Sequence, residues 1–173
     1  MSALDKVPDN LDFLSQLGYK FQIKKLPHVN YFLQEVNIPG LTLPEVQQPN
    51  PFVAIKHSGD HIAYAPLEIN FKVDEDMANY RELHAWVRGL GFPESLTEYG
   101  DLARVPRSSG EGLYSDASII LTTGLSNPNL EFTFRDCFPV SIGSLQLKTN
   151  DADVRFISCS ATFSYTLFDI TIL

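Results

Sequence analysis

The clearest regularity in the chain is a period of two. Residues 67–73 set Leu67, Ile69, Phe71 and Val73 against Glu68, Asn70 and Lys72, the alternation of a strand with one face on a core and one on solvent. The same period runs through 19–26, where Tyr19, Phe21 and Ile23 oppose Lys20, Gln22 and Lys24. It returns at 130–138, where Leu130, Phe132 and Phe134 oppose Glu131, Thr133 and Arg135. In the final run, 154–172, Ile157, Cys159, Ala161, Phe163, Tyr165 and Leu167 share one face, and Ser158, Ser160, Thr162 and Ser164 the other. That run outlasts a usual strand and slips phase near Phe168, which predicts a bulge or bend. Further strands are expected at 31–38, 117–123 and 141–148, with a short turn at 27–30.

Only one segment switches clearly to helical spacing. Met77, Tyr80, Leu83, His84, Val87 and Leu90 form an apolar stripe with Trp86 near its edge. Asp74 or Asp76 is placed to cap this helix, Glu75 adds charge at its positive end, and Gly89, Gly91 and Pro93 end it. Residues 1–18 read as an arm or short helix with a small apolar face of Leu11, Phe13, Leu14 and Leu17. The Pro-punctuated stretch 41–51 reads as irregular. Residues 52–73 read as a hairpin turning at Ser58-Gly59-Asp60, and 93–115 as a long loop. The layout predicts an α+β, mainly β fold: an antiparallel sandwich or barrel with one flanking α-helix, formed by 19–173 as a single domain behind the 1–18 arm.

Composition fits this picture. Twelve Phe and seven Tyr lean toward sheet, and 173 residues suffice for a core without staples. Cys137 and Cys159 lie in apolar strand-like runs and are expected as buried free thiols. The net charge of −8, from 13 basic and 21 acidic residues, argues against gripping phosphates or anionic membranes. It suits a soluble surface, or a wall past which nucleic acid must slide. The N-terminus lacks the basic and apolar regions of a signal peptide, no apolar run is long enough to span a bilayer, and a reducing cytoplasm is the expected compartment.

Catalytic motifs are absent: no G-x-S-x-G, no H-E-x-x-H, no phosphate-binding loop. The one metal-like constellation is His57-Ser58-Gly59-Asp60-His61. If the turn falls there, two imidazoles face each other across the hairpin beside a carboxylate. Polar residues at a hairpin tip explain the same sequence more simply. His84, on the apolar stripe, reads as a hydrogen-bonded core residue. No catalytic residue, metal or cofactor is expected.

Three segments carry a family resemblance. They are Asn37-Ile38-Pro39-Gly40 after a strand; the Gly59-Asp60 hairpin leading into LEINFKVDED and a helix with Tyr80 and Trp86; and CFPVSIGSLQLKTND at 137–151 before a long last strand. In this order they resemble the tail tube protein family of contractile-tailed, T4-like bacteriophages. The resemblance implies hexameric rings stacked into a tube that conducts genomic DNA without binding it specifically. Sheath and baseplate proteins would be the partners, and the virion the location after assembly in the host cytoplasm. About four strands from each of six copies, ~4.8 Å apart and tilted ~45°, give a circumference of ~160 Å and a clear bore of ~40 Å.

By position, the resemblance makes 52–73 one channel hairpin, with Lys56, His57, Asp60, His61, Glu68 and Asn70 as lining candidates. Ser58, Gly59 and Asp60 would reach the next ring. A second hairpin, placed within 19–36, contributes Glu35. A main-tube ring, a baseplate-proximal ring, a capping ring and a secretion-system tube all remain open, as do a small hydrolytic or metal-binding β-protein and a monomeric ligand-binding barrel.

Overall fold

The computed structural model of the chain describes residues 13–14, 16–149 and 156–173. Most of the 1–18 arm therefore lies outside the described residues. The strands in chain order are β1 (Tyr19–Ile23), β2 (Leu33–Asn37), β3 (Leu41–Thr42), β4 (Glu45–Gln48), β5 (Ile55–Ser58), β6 (Ala63–Tyr64), β7 (Leu67–Lys72), β8 (Ser115–Thr122), β9 (Pro128–Ile142), β10 (Ser158–Ser164) and β11 (Leu167–Ile172). The helices are α1 (Pro27–Phe32), α2 (Ala78–Gly91) and α3 (Leu96–Ala103). The main sheet runs β1-β8-β9-β10-β7-β2, with β11 also on β9, and every pairing is antiparallel.

β9 belongs to two layers. Residues 130–135 lie between β8 and β11, whereas 138–142 pair with β10. At the corner Asp136 takes φ 56°, and the register slips between Ser115↔Cys137 and Ala117↔Phe134. One extra residue on a strand bends it and sharpens its twist. Asp tolerates this backbone better than most residues. Here its amide donates to Asp116 Oδ1 at 3.0 Å, and its carboxylate pairs with Arg107 at 2.6 Å.

The bend folds β1-β8-β9-β11 over β9-β10-β7-β2. Phe21, Ile23, Ile119 and Phe134 of the first layer and Leu67, Phe71, Cys159 and Phe163 of the second are buried, at the alternate positions read from the sequence. The phase slip near Phe168 is a break between β10 and β11, both of which pair with β9. Both cysteines are free and buried. The barrel is not closed, since β1 and β2 are neighbours in space but not in the ladder. Across that seam Tyr19 Oη donates to the Gln34 carbonyl at 2.5 Å, and the Asn30 side-chain amide bonds both N–H and C=O of Ile23.

α2 covers one side of the core, but its inner face is turned from the expected stripe. Asn79, Leu83, Trp86 and Gly89 are buried, and His84 is exposed. Two bonds rotate the helix this way. Asn79 donates to the Lys72 carbonyl at 2.7 Å, and Trp86, against Phe163, donates from Nε1 to the Leu113 carbonyl at 3.1 Å. Neither Asp74 nor Asp76 is the N-cap; Met77 takes that position in a left-handed conformation, and Asp74 Oδ1 accepts from Asn79 N.

Three further expectations are corrected. The turn at 27–30 is α1, because Pro27 fits a first helical turn, so β2 starts only at Leu33. The stretch 93–115 contains α3, capped by Ser95 Oγ accepting from Thr97 N at 3.2 Å. Gly89 serves that helix rather than ending α2, since a Cβ there would sit 2.5 Å from Leu102 Cδ1. At 141–148, β9 stops at Ile142, and after one further bond from Gly143 N to the Ser160 carbonyl the described residues 144–149 join no strand.

Candidate functional site

The β2–β7 pair does not end with the sheet. Val36↔Ile69 and Asn37↔Glu68 continue into Leu41↔Tyr64 and Thr42↔Ala63, and then into Glu45↔Ser58, Val46↔His57, Gln47↔Lys56 and Gln48↔Ile55. This is one long ribbon whose tip is residues 49–54, with Asn50 Oδ1 accepting from Phe52 N at 3.2 Å. The expected turn at Ser58-Gly59-Asp60 is therefore a mid-ribbon bulge, where two residues (43–44) oppose four (59–62). Gly59 N donates to the Pro44 carbonyl at 2.7 Å, and a Cβ at Gly59 would lie 2.5 Å from that oxygen. Only glycine permits so close a backbone approach.

The bulge undoes the metal-like reading. His57 and His61 lie on the same limb; His57 stands opposite Val46, with Nε2 at 3.2 Å from Gln48 Oε1. The described residues hold no group of three or more His, Cys, Asp or Glu side chains that could share a metal. Lys56 instead pairs with Glu45 at 2.9 Å. Alternation gives the outer ribbon two faces: Val46, Gln48, Ile55 and His57 on one, Glu45, Gln47, Lys56 and Ser58 on the other. Both are exposed, and Phe52 at the tip is 95% exposed. The base is anchored, with Tyr64 edge-on to Tyr165 and Phe168 and Tyr165 Oη donating to the Ala65 carbonyl at 2.8 Å.

Glu35, Glu68 and Asn70 come together on a different surface, the outer face of β9-β10-β7-β2. The registers align Asn37, Glu68, Thr162 and Ser141 in one row, Glu35, Asn70 and Ser160 in the next, and Lys72 beside Ser158. The face is polar, built mainly from small side chains, and free of aromatic rings along these rows. Lys72 leans over the Phe156 ring at 4.9 Å. The candidates thus split: three on the sheet face, and Lys56, His57, Ser58, Gly59, Asp60 and His61 on the ribbon. The same sheet has two open borders among the described residues, where β2 pairs only with β7, and residues 138–142 only with β10.

Burial shifts several titratable groups among the described residues. Burial pushes the Cys137 thiol up to about 12 and raises that of Cys159. Burial also pushes Tyr165 up to about 12, and it raises Tyr19, with the Glu35 charge adding to the effect. Lys25 moves the other way, lowered to about 8 by burial, with its ammonium bonded to the Gly112 carbonyl and 4.8 Å over the Trp86 ring. No helix among the described residues is long and apolar enough to cross a membrane.

A sheet with polar outer rows and open borders, extended by a projecting ribbon, offers edges on which another strand can pair. The model of the phage tail tube protein family matches residues 5–171. The chain belongs to that family. Among curated proteins no match was found. In fold this tail tube protein is similar to a chain of the anti-feeding prophage tube-terminating cap, with a TM-score of 0.65, 9% identity and 100% of each chain covered. It is similar to a chain of the anti-feeding prophage baseplate, with a TM-score of 0.61, 13% identity, and 88% of this chain and 90% of that one covered. A chain of the sheath/tube terminator of an extracellular contractile injection system gives a TM-score of 0.61, 11% identity, and coverage of 94% and 99%.

Sequence reasoning missed β4, its pairing with β5, and the tip at 49–54. Pro49-Asn50-Pro51 was the available signal, overshadowed by the stronger turn chemistry of Ser-Gly-Asp.

Proposed function

We propose that six copies of this chain close into a ring, that rings stack into the inner tube of a contractile tail, and that DNA passes through the bore. The observation that carries this is the four-stranded layer β9-β10-β7-β2, polar on its outer face and open at both borders. Its end strands run in opposite directions, so a second copy can add β9 beside β2 with antiparallel pairing throughout. Closing a sheet on itself through neighbours is the way to remove such borders. Six layers of four strands match the bore of ~40 Å given by strand spacing and tilt. Glu35, Glu68, Asn70 and the Ser/Thr rows would then line the channel, where the carboxylates repel phosphates and Lys72 is the one cation on the rows described. The ribbon, carrying Lys56, His57, Ser58, Gly59, Asp60 and His61, would reach a neighbouring copy or ring.

On this reading the protein is a structural part and not a catalyst, consistent with His57 and His61 lying on one limb rather than facing each other across a turn and with the buried, protonated thiols. Solution mass tests it directly. A species six times the 19.4 kDa of one chain, with rings or stacks in negative stain, is expected; a monomer at every concentration would sink it. A ring used once at an end of the tube is the second reading, favoured by the full-length fold similarity to a tube-terminating cap. Stacks of many rings support the main tube, and single or paired rings a terminal position.

A further inference from the structure

We infer that residues 144–149 of one copy become a strand on the β2 border of the next, and that they are ordered this way only on assembly. The inference rests on the ring reading above and names the segment that closes it. Ser144-Leu145-Gln146-Leu147-Lys148-Thr149 alternates as a strand should, yet it pairs with no strand among the described residues. β9 ends at Ile142, and the last ladder contact beyond it is Gly143 N donating to the Ser160 carbonyl at 2.7 Å. Leu145 still packs on the core, but Leu147 is 81% exposed. A strand-patterned segment that continues a sheet strand and then overhangs its own core lacks the second layer that would cover it.

The complementary surface is the seam between β2 and β1. There a groove of about 710 Å³ is lined by Tyr19, Phe21, Pro27, Leu33 and Gln34, among others. Its lining mixes apolar side chains with the polar Lys20, Gln22 and Asn30. At one end the Asn30 amide occupies the N–H and C=O of Ile23, as a neighbouring peptide would. By the antiparallel alternation, the backbone groups of Phe21 and Tyr19 face the same way. Charge fits as well. Lys148 is the basic residue of the segment and Glu35 the acid on the receiving strand, both exposed and neither in an ion pair among the described residues. Direction fits too, because a strand continuing β9 meets β2 antiparallel. Adding an extended segment to a sheet edge supplies main-chain bonds for affinity and pockets for alternate side chains.

Hydrogen exchange on the full chain, dilute and assembled, tests this. Amides of 144–149 should exchange freely in the monomer and slow by about 100-fold in the ring. In the Gln34→Cys/Leu147→Cys variant, both sites are exposed, and oxidation of assembled protein should link copies into a ladder ending at the ring. Leu147→Asp should raise the concentration needed for rings by about tenfold without changing the circular dichroism of the monomer. Rings whose 144–149 amides stay unprotected, or whose 34 and 147 thiols do not join, overturn the inference and leave the ring reading standing. Absence of rings at any concentration overturns the ring reading itself, and this inference with it.

Discussion

Cys137 sits beside the Asp136 corner, and its thiol is pushed by burial from about 9 to about 12. A group whose folded pKa exceeds its unfolded value stabilises fully below the unfolded value and loses that contribution as pH rises toward the folded one. Stability should therefore fall between about pH 9 and 12, and Cys137→Ala should lose this part of the slope. Urea melts of both proteins across that range, compared as a difference, measure it. Trp86 is the other residue on which much converges. It is 1% exposed, packs on Phe163, supports the Lys25 ammonium and bonds the Leu113 carbonyl. Trp86→Ala should cost ~3–5 kcal/mol, the range for a large buried aromatic, read from the same melts.

At the scale of elements, the ribbon bulge separates two kinds of stability. A Cβ at Gly59 would strike the Pro44 carbonyl, which is backbone and cannot swing aside. Gly59→Ala should loosen 45–58, raising amide exchange there, while β7–β10 amides keep their protection. Equal loss of protection in the core strands would show that the bulge belongs to the core's cooperative unit.

This part of the molecule also shows what the sequence could and could not reveal. Strands with one wet and one dry face, β7 and β10 above all, were legible because burial enforces strict alternation. β4 and its pairing with β5 were not, because an isolated ribbon buries nothing and so leaves no pattern; its Ser-Gly-Asp bulge has the same chemistry as a turn. α3 was hidden by Gly100 and by flanking Pro93 and Pro106, which resemble loop punctuation. The inner face of α2 was set by Asn79 and Trp86 through hydrogen bonds to strand and loop carbonyls, which hydrophobic spacing does not register. Of the candidate site, Glu68 and Asn70 share a face by the alternation of β7, whereas Glu35 entered through the family resemblance, and only the β2–β7 register sets it beside Asn70. The ribbon residues were grouped around a turn that lies elsewhere.

For the whole molecule, the ribbon and the sheet borders should have separable duties. Replacing 45–58 with a two-residue Asn-Gly turn should leave the core fold and single rings intact and remove stacking, since every residue of that segment is exposed. Electron micrographs of the variant would decide: long stacks at wild-type concentration would assign stacking to another surface.

The fifteen-residue β9, bent at Asp136 and shared by both layers, has a mechanical consequence. A pull applied to one skin of the subunit passes to the other along a covalent backbone rather than through contacts between side chains. Sliding of the inner skin past the outer one would have to stretch or straighten that strand, so the two skins yield together or not at all.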